Sequence, residues 1–69
     1  LESMSWTQHV LTLLRFGSPD LSGKNNVVTE TSLRSFQRSR GLEPTGFANL
    51  DTYFQLLSAY DNLLDRPSL

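Results

Sequence analysis

The sequence has no cysteine and only one histidine, His9. Without thiols, neither a disulfide framework nor a thiolate metal site can support the fold, and a single imidazole cannot hold a metal unaided. Glu2, Glu30 and Glu43 are scattered along the chain and form no catalytic group. We therefore expect no cofactor, no metal and no catalysis in this chain, so any catalysis would lie in another domain of the parent protein.

Charge and long apolar runs are scarce as well. Only 19% of the residues are charged, and the formal net charge is −1. A dedicated nucleic-acid binder needs positive charge to neutralise phosphates, so we expect no nucleic-acid partner. No apolar run approaches the roughly 20 residues that cross a bilayer, so we expect no membrane partner. The 69 residues suffice for one small domain, which we expect to be monomeric and to belong to a larger protein.

Three segments carry apolar residues at helical spacing. They span about residues 5–16, 27–40 and 50–64, and loops rich in glycine, asparagine and proline separate them. This order predicts an all-α fold, a compact three-helix bundle with two glycine-containing corner loops. We expect one domain over residues 1–64 and a disordered tail over residues 65–69.

The apolar residues of each segment predict which helix face meets the core. Expected core positions are Trp6, Val10, Leu13 and Leu14 in the first segment, Leu33 and Phe36 in the second, and Leu50, Tyr53, Phe54, Leu57, Tyr60 and Leu64 in the third. For Trp6 and Tyr53 we favour core packing over a role in binding.

Local signals mark where the helices begin and end. Ser5 and Gln8 have the spacing of a capping box, in which both side chains satisfy opening amides of the first helix. Gly41 follows the second helix and can take the left-handed conformation of a C′ residue, which places Leu42 against the last turn near Phe36. The second helix is therefore predicted to end in a Schellman cap.

The chain also contains an internal repeat, because residues 22–29 and residues 45–52 superpose without a gap. Both read hydroxyl, Gly, two variable residues, Asn, aliphatic, any residue, Thr. Glycine allows the turn, asparagine caps the following helix, and threonine can return a hydrogen bond to that cap. The repeat predicts two equivalent corners. Its members are Gly23, Asn26, Thr29 and Leu33 in the first corner, and Gly46, Asn49, Thr52 and Leu56 in the second.

These residues, together with Phe36-Gln37 and Gly41-Leu42, resemble the peptidoglycan-binding-like domains of bacterial and phage cell-wall hydrolases. The similarity covers roughly residues 6–57. Some family positions differ, since Ser and Thr replace Asp before the two corner glycines, Tyr53 replaces Trp, and the usual Leu-Gln pair of the first helix is missing. These departures concern the ligand-binding surface more than the fold.

The resemblance implies a non-catalytic module that binds peptidoglycan, through its glycan or its stem peptide, and anchors a linked hydrolase or envelope protein. Its location would be the cell envelope, periplasmic or secreted. Arginines near the end of the second helix could pair with stem-peptide carboxylates, and an aromatic ring could stack on a sugar. The candidate ligand-binding residues are Arg34, Arg38, Arg40, Tyr53 and Asn25.

Two other functions compete with peptidoglycan binding. The polar and basic residues 31–40 have the composition of a DNA-recognition helix. A helix-turn-helix, however, needs a turn of about 3–4 residues before that helix, and the loop here is far longer. The second alternative is a protein-docking module on the same fold, which the divergence at the first corner would allow.

Overall fold

The computed structural model describes residues 4–17, 24 and 26–64, so the predicted tail over residues 65–69 lies outside the described residues. The described residues form three α-helices and no strand. The helices are α1 (Met4–Leu13), α2 (Val27–Ser39) and α3 (Leu50–Leu64). The prediction of an all-α three-helix bundle is confirmed. Within the described part of the chain, no helix is long and apolar enough to cross a membrane.

The beginning of α1 differs from the prediction. The helix begins at Met4, so Ser5 lies inside the helix and is not its N-cap. Gln8 is fully buried, and its side-chain amide donates a hydrogen bond to the loop before α2. The predicted capping box is therefore wrong, because long-range burial of an amide overrides a local sequence pattern.

The end of α1 also differs from the prediction, because the helix stops at Leu13 and not near Phe16. Arg15 takes a left-handed conformation with φ of 66°. The chain then turns back, and the amide of Phe16 donates to the carbonyl of Leu11 at 3.0 Å. This six-to-one bond is the mark of a Schellman end, here with an arginine at C′.

The end of α2 has the predicted Schellman cap. Helix α2 ends at Ser39, and Gly41 has φ of 72°. The amide of Leu42 donates to the carbonyl of Gln37 at 2.8 Å, and the amide of Gly41 donates to the carbonyl of Arg38 at 3.2 Å. Both bonds satisfy carbonyls that the helix end leaves without partners.

The core lies where α1 packs against α2 and α3. Its buried apolar residues are Val10, Leu11, Leu33, Phe36, Leu56 and Ala59, and the partly buried residues packed against them are Trp6, Leu14, Phe16, Ala48 and Tyr60. The predicted stripe of α1 was partly wrong, because Leu11 is fully buried and Leu13 is 44% exposed.

The inner face of α3 is rotated from the predicted one. Its buried residues are Thr52, Leu56 and Ala59. The hydroxyl of Thr52 accepts a hydrogen bond from Gln37 inside the bundle, which turns a polar position toward the core. Apolar periodicity alone therefore could not locate this face. The predicted core positions that are more than half exposed are Leu50, Phe54 and Leu64.

Each corner loop enters its helix through an asparagine cap. Asn26 Oδ1 accepts the amide of Thr29 at 2.9 Å, and Asn49 Oδ1 accepts the amide of Thr52 at 3.1 Å. The two caps are equivalent, as the sequence repeat predicts. The glycine of the first corner, Gly23, lies outside the described residues.

The equivalence of the caps can be tested by Asn26→Ala and Asn49→Ala. Each substitution should lower the free energy of unfolding by a similar amount, about 0.5–2 kcal/mol, because each removes the acceptor for an opening amide. Urea denaturation measures both losses. Asn62→Ala is the matched control, since Asn62 is exposed inside α3 and alanine favours helix there. A loss at one cap with none at the other would show that the corners are not equivalent.

Candidate functional site

The second corner is held by the buried side chain of Gln37. Its Oε1 accepts the amide of Gly46 at 3.0 Å. Its Nε2 donates to the carbonyl of Phe47 at 2.9 Å and to the hydroxyl of Thr52 at 2.8 Å, and Thr45 Oγ1 lies 3.0 Å away. One amide thus satisfies polar groups of both the loop and the first turn of α3, which explains a fully buried glutamine at this point.

The first corner is held in the same way by Gln8. Its Nε2 donates to the carbonyl of Lys24 at 2.9 Å and to the hydroxyl of Thr29 at 3.0 Å. Lys24 and Thr29 occupy the repeat positions that Phe47 and Thr52 occupy in the second corner. Each corner is therefore fixed by a glutamine from the preceding helix.

The sequence predictions did not find this arrangement. They placed Gln8 in a capping box, gave Gln37 no role beyond marking a family pattern, and expected each threonine hydroxyl to return a bond to its cap. Instead, the hydroxyls of Thr29 and Thr52 accept hydrogen bonds from glutamine side chains of the preceding helices. A glutamine on the inner face of the helix before each repeat was the signal that could have indicated it. Within the described residues, no buried side-chain polar atom lacks a hydrogen-bond partner.

An open groove of about 520 Å³ lies between the turn after α1 and the first half of α2. We call it the α1–α2 groove. Its lining residues are Arg15, Phe16, Gly17, Val27, Val28, Thr31, Ser32 and Ser35. Its described lining therefore combines one cation, several apolar side chains and three hydroxyls.

The floor of the α1–α2 groove is fixed by close packing. The ring of Phe16 meets the buried ring of Phe36 edge to face, with centroids 5.4 Å apart and an interplanar angle of 89°. Gly17 lies so close to α2 that a Cβ there would be 2.7 Å from Ser32 Oγ. Above this floor, Val27 and Val28 are 75% and 49% exposed. The groove thus offers accessible apolar surface on a rigid base.

Arg15 is the cation of the groove, and its backbone is strained. Among the described residues it is the only one other than glycine with positive φ. The left-handed conformation costs an L-residue roughly 1–2 kcal/mol. At the equivalent position after α2, the chain has Gly41. The contrast shows that a glycine would relieve the strain that Arg15 carries.

The predicted arginines do not form one cluster. Arg34 and Arg38 lie one turn apart on α2. The Arg34 guanidinium reaches the second corner, 3.1 Å from where a Cβ of Gly46 would lie, and pairs with Glu30 at 3.8 Å. Arg40 lies elsewhere, with Cζ 5.5 Å from the centroid of the Phe36 ring.

Of the remaining predicted site residues, the structure describes Tyr53. Tyr53 is half-buried, and its ring centroid is 5.7 Å from that of Trp6. Trp6 also contacts Tyr60 edge to face, at 6.0 Å. The pair therefore belongs to an aromatic cluster between α1 and α3. Asn25 lies outside the described residues.

A second accessible surface lies at the start of α3. Leu50 and Phe54 are one turn apart on the same face, and Phe47 precedes them in the second corner. These side chains are 54%, 56% and 60% exposed, respectively. We call this set the α3 apolar patch. It contains no charged residue and is separate in sequence from the α1–α2 groove.

Comparison with protein families identifies the family to which this three-helix domain belongs. The model of the family described as "Putative peptidoglycan binding domain" matches residues 2–56, well over half of the chain. The chain belongs to this peptidoglycan-binding family. The match contains both buried glutamines and both corners of the peptidoglycan-binding domain, and it confirms the resemblance seen in the sequence. No curated protein and no solved structure matches the chain.

Membership in the family suggests peptidoglycan as a partner and association with the cell wall. The match extends slightly further toward the N-terminus than the similarity seen in the sequence, and it ends inside α3 at Leu56. Among the residues that the structure describes, no three His, Asp or Glu side chains group to hold a metal ion. The accessible surfaces of the described residues include the α1–α2 groove and the α3 apolar patch.

Proposed function

We propose that this chain is a non-catalytic peptidoglycan-binding module that holds a linked hydrolase or envelope protein at the cell wall. The observation that carries the proposal is the family match over residues 2–56, which includes both corners and the helices they join. Tethering raises the effective concentration of a linked domain at its polymer without any new chemistry. The module would act as a monomer in the cell envelope, in the periplasm or after secretion.

The arginines of α2 suit the approach to this polymer. Stem peptides of peptidoglycan carry carboxylates, and Arg38 and Arg40 are exposed while Arg34 is partly exposed. Because Arg34 reaches the second corner while Arg40 lies over the Phe36 ring, we propose that the arginines attract the anionic polymer over a distance and do not form one shared pocket. We also propose Tyr53 and Asn25 as ligand contacts, because the family resemblance implies them.

Sedimentation with purified peptidoglycan sacculi tests the proposal. The wild-type domain should co-sediment at low salt, and retention should fall as salt screens exposed charges, with a Debye length of about 8 Å at physiological ionic strength. A variant with Arg34→Ala, Arg38→Ala and Arg40→Ala should lose a few-fold in retention while keeping its helical circular dichroism.

The matched control replaces the same three arginines with lysine, which keeps the charge and should retain most of the binding. Equal losses in the alanine and lysine variants would show that charge attraction is not the cause. Should the wild-type domain fail to sediment even at low salt, the cell-wall function would be overturned.

A protein-docking module is the second candidate, and the α3 apolar patch favours it. Its three large apolar side chains are each more than half exposed, and exposed apolar surface is typical of contact with another protein. The geometry does not support DNA binding. Helix α1 ends at Leu13 and α2 begins at Val27, so the segment between them is far longer than the 3–4 residues of a helix-turn-helix turn. If sacculi fail to retain the domain, a Phe47→Ser, Phe54→Ser variant tests docking to the adjacent domain of the parent protein.

A further inference from the structure

We propose that the α1–α2 groove binds the stem peptide of peptidoglycan, and that Arg15 binds a free carboxylate of that peptide. This inference rests on the proposed function and names the part of the polymer that is recognised. The ligand class is a short carboxylate-bearing peptide with small apolar side chains. The glycan strand would then be held weakly or not at all.

The shape and lining of the groove favour a peptide over a sugar. Its volume of about 520 Å³ lies within the roughly 300–1,000 Å³ of small-ligand sites. Exposed Val27 and Val28 offer surface for methyl groups, and the hydroxyls of Thr31 and Ser35 offer partners for peptide amides. Among the described lining residues, the aromatic one is Phe16, which is half-buried and packed against Phe36, so only part of its ring is accessible to a sugar.

Arg15 is the arginine best placed to take a carboxylate inside a groove. Arg34 pairs with Glu30, and the guanidinium of Arg40 lies over an aromatic ring. Arg15 is exposed and lines the groove, and no carboxylate within residues 4–17, 24 and 26–64 pairs with it. A guanidinium binds a carboxylate through two parallel hydrogen bonds, which fixes orientation as well as charge.

The backbone of Arg15 gives independent support. A C′ position strongly favours glycine, and the chain has glycine at the equivalent position after α2. At the end of α1 an arginine is held in the left-handed conformation instead. Residues kept in strained conformations cluster at binding and catalytic sites. The strained backbone of Arg15 therefore supports a role of its side chain in binding.

Calorimetric titration with synthetic stem peptides tests the assignment. The probes are a stem pentapeptide with a free C-terminal carboxylate and the same peptide with a C-terminal amide. Wild-type domain should bind the acid at least about tenfold more tightly than the amide, because the amide cannot form the charged pair. Arg15→Gln should reduce affinity for the acid by a similar factor. His9→Gln, at an exposed position of α1 outside the groove, should change it less than twofold.

Arg15→Gly removes the possibility that lost binding reflects lost folding. Glycine suits the left-handed position, so this variant should melt at a higher temperature than wild type and still bind the acid peptide at least about tenfold more weakly. Unchanged affinity in Arg15→Gly or Arg15→Gln would overturn the role of Arg15.

Sacculi stripped of their stem peptides separate the two proposals. Loss of retention on the stripped glycan, with retention on intact sacculi, supports recognition of the peptide. Equal retention on both overturns it and leaves the peptidoglycan-binding function standing. Failure to bind intact sacculi would overturn both.

Discussion

Replacing Gln37 with leucine is expected to lower the free energy of unfolding by about 2–4 kcal/mol. Leucine matches glutamine in bulk but cannot bond to the buried amide of Gly46 or the buried hydroxyl of Thr52. Leaving a buried donor or acceptor without a partner costs about 1–3 kcal/mol for each group. Since so small a domain has only a few kcal/mol of stability, much of the variant should be unfolded at 37 °C.

Thermal and urea denaturation followed by circular dichroism measure this loss, and Gln55→Leu is the matched control. Gln55 is half-buried on α3, and its side chain takes no part in the hydrogen bonds that hold the second corner. The same chemical change there should alter stability by less than about 1 kcal/mol. If Gln37→Leu were as mild as Gln55→Leu, the second corner would not depend on Gln37.

Replacing Phe36 with alanine is expected to have the largest effect, a loss of about 3–5 kcal/mol. Phe36 is fully buried, its ring meets the edge of Phe16, and the guanidinium of Arg40 lies above it. Alanine removes the ring and leaves a cavity that rigid neighbours cannot fill. The variant should show little helical circular dichroism at 25 °C and no cooperative melting transition.

Phe54→Ala is the control for Phe36→Ala. The chemical change is the same, but Phe54 is 56% exposed, so the loss should stay within about 1 kcal/mol. Comparable losses at Phe36 and Phe54 would contradict the observed core. Phe36→Leu should fall between them, because leucine keeps part of the buried volume.

The beginnings of α2 and α3 and the end of α2 were predictable because their signals are local. Asn26 and Asn49 cap helices through bonds to residues three positions away, and Gly41 acts within one turn of its helix. Such contacts appear directly in the order of residues. The three-helix fold and the equivalence of the two corners followed from them.

The buried amides could not be predicted in the same way. Gln37 meets Thr52, and Gln8 meets Thr29, across sequence separations that no helical period describes. Burial of Thr52 fixes which face of α3 meets the core, and Phe54 lies outside that face. Apolar periodicity alone therefore placed Phe54 inward by mistake. Polar partners in a core are specified by each other and not by hydrophobicity.

The candidate site was the least predictable part. The α1–α2 groove is built from a turn and a helix that lie ten residues apart in the chain, so its lining residues are not adjacent in sequence. The sequence does not predict the left-handed backbone of Arg15, because glycine is the residue that normally adopts that conformation. The sequence instead favoured the more conspicuous row of arginines on α2.

Helix α2 takes part in both corners, which has a consequence for how the module meets its ligand. Its first turn is held by Gln8 through Thr29, and its last turn supplies Gln37 to the second corner. Because both corners are tied to α2, opening either one would loosen the helix on which the other depends. Binding then requires little ordering of the protein, because the surface is preorganised during folding. In the proposed function, the module would meet the polymer with both glutamine-held corners already formed, and the polymer would supply most of the adaptation of shape.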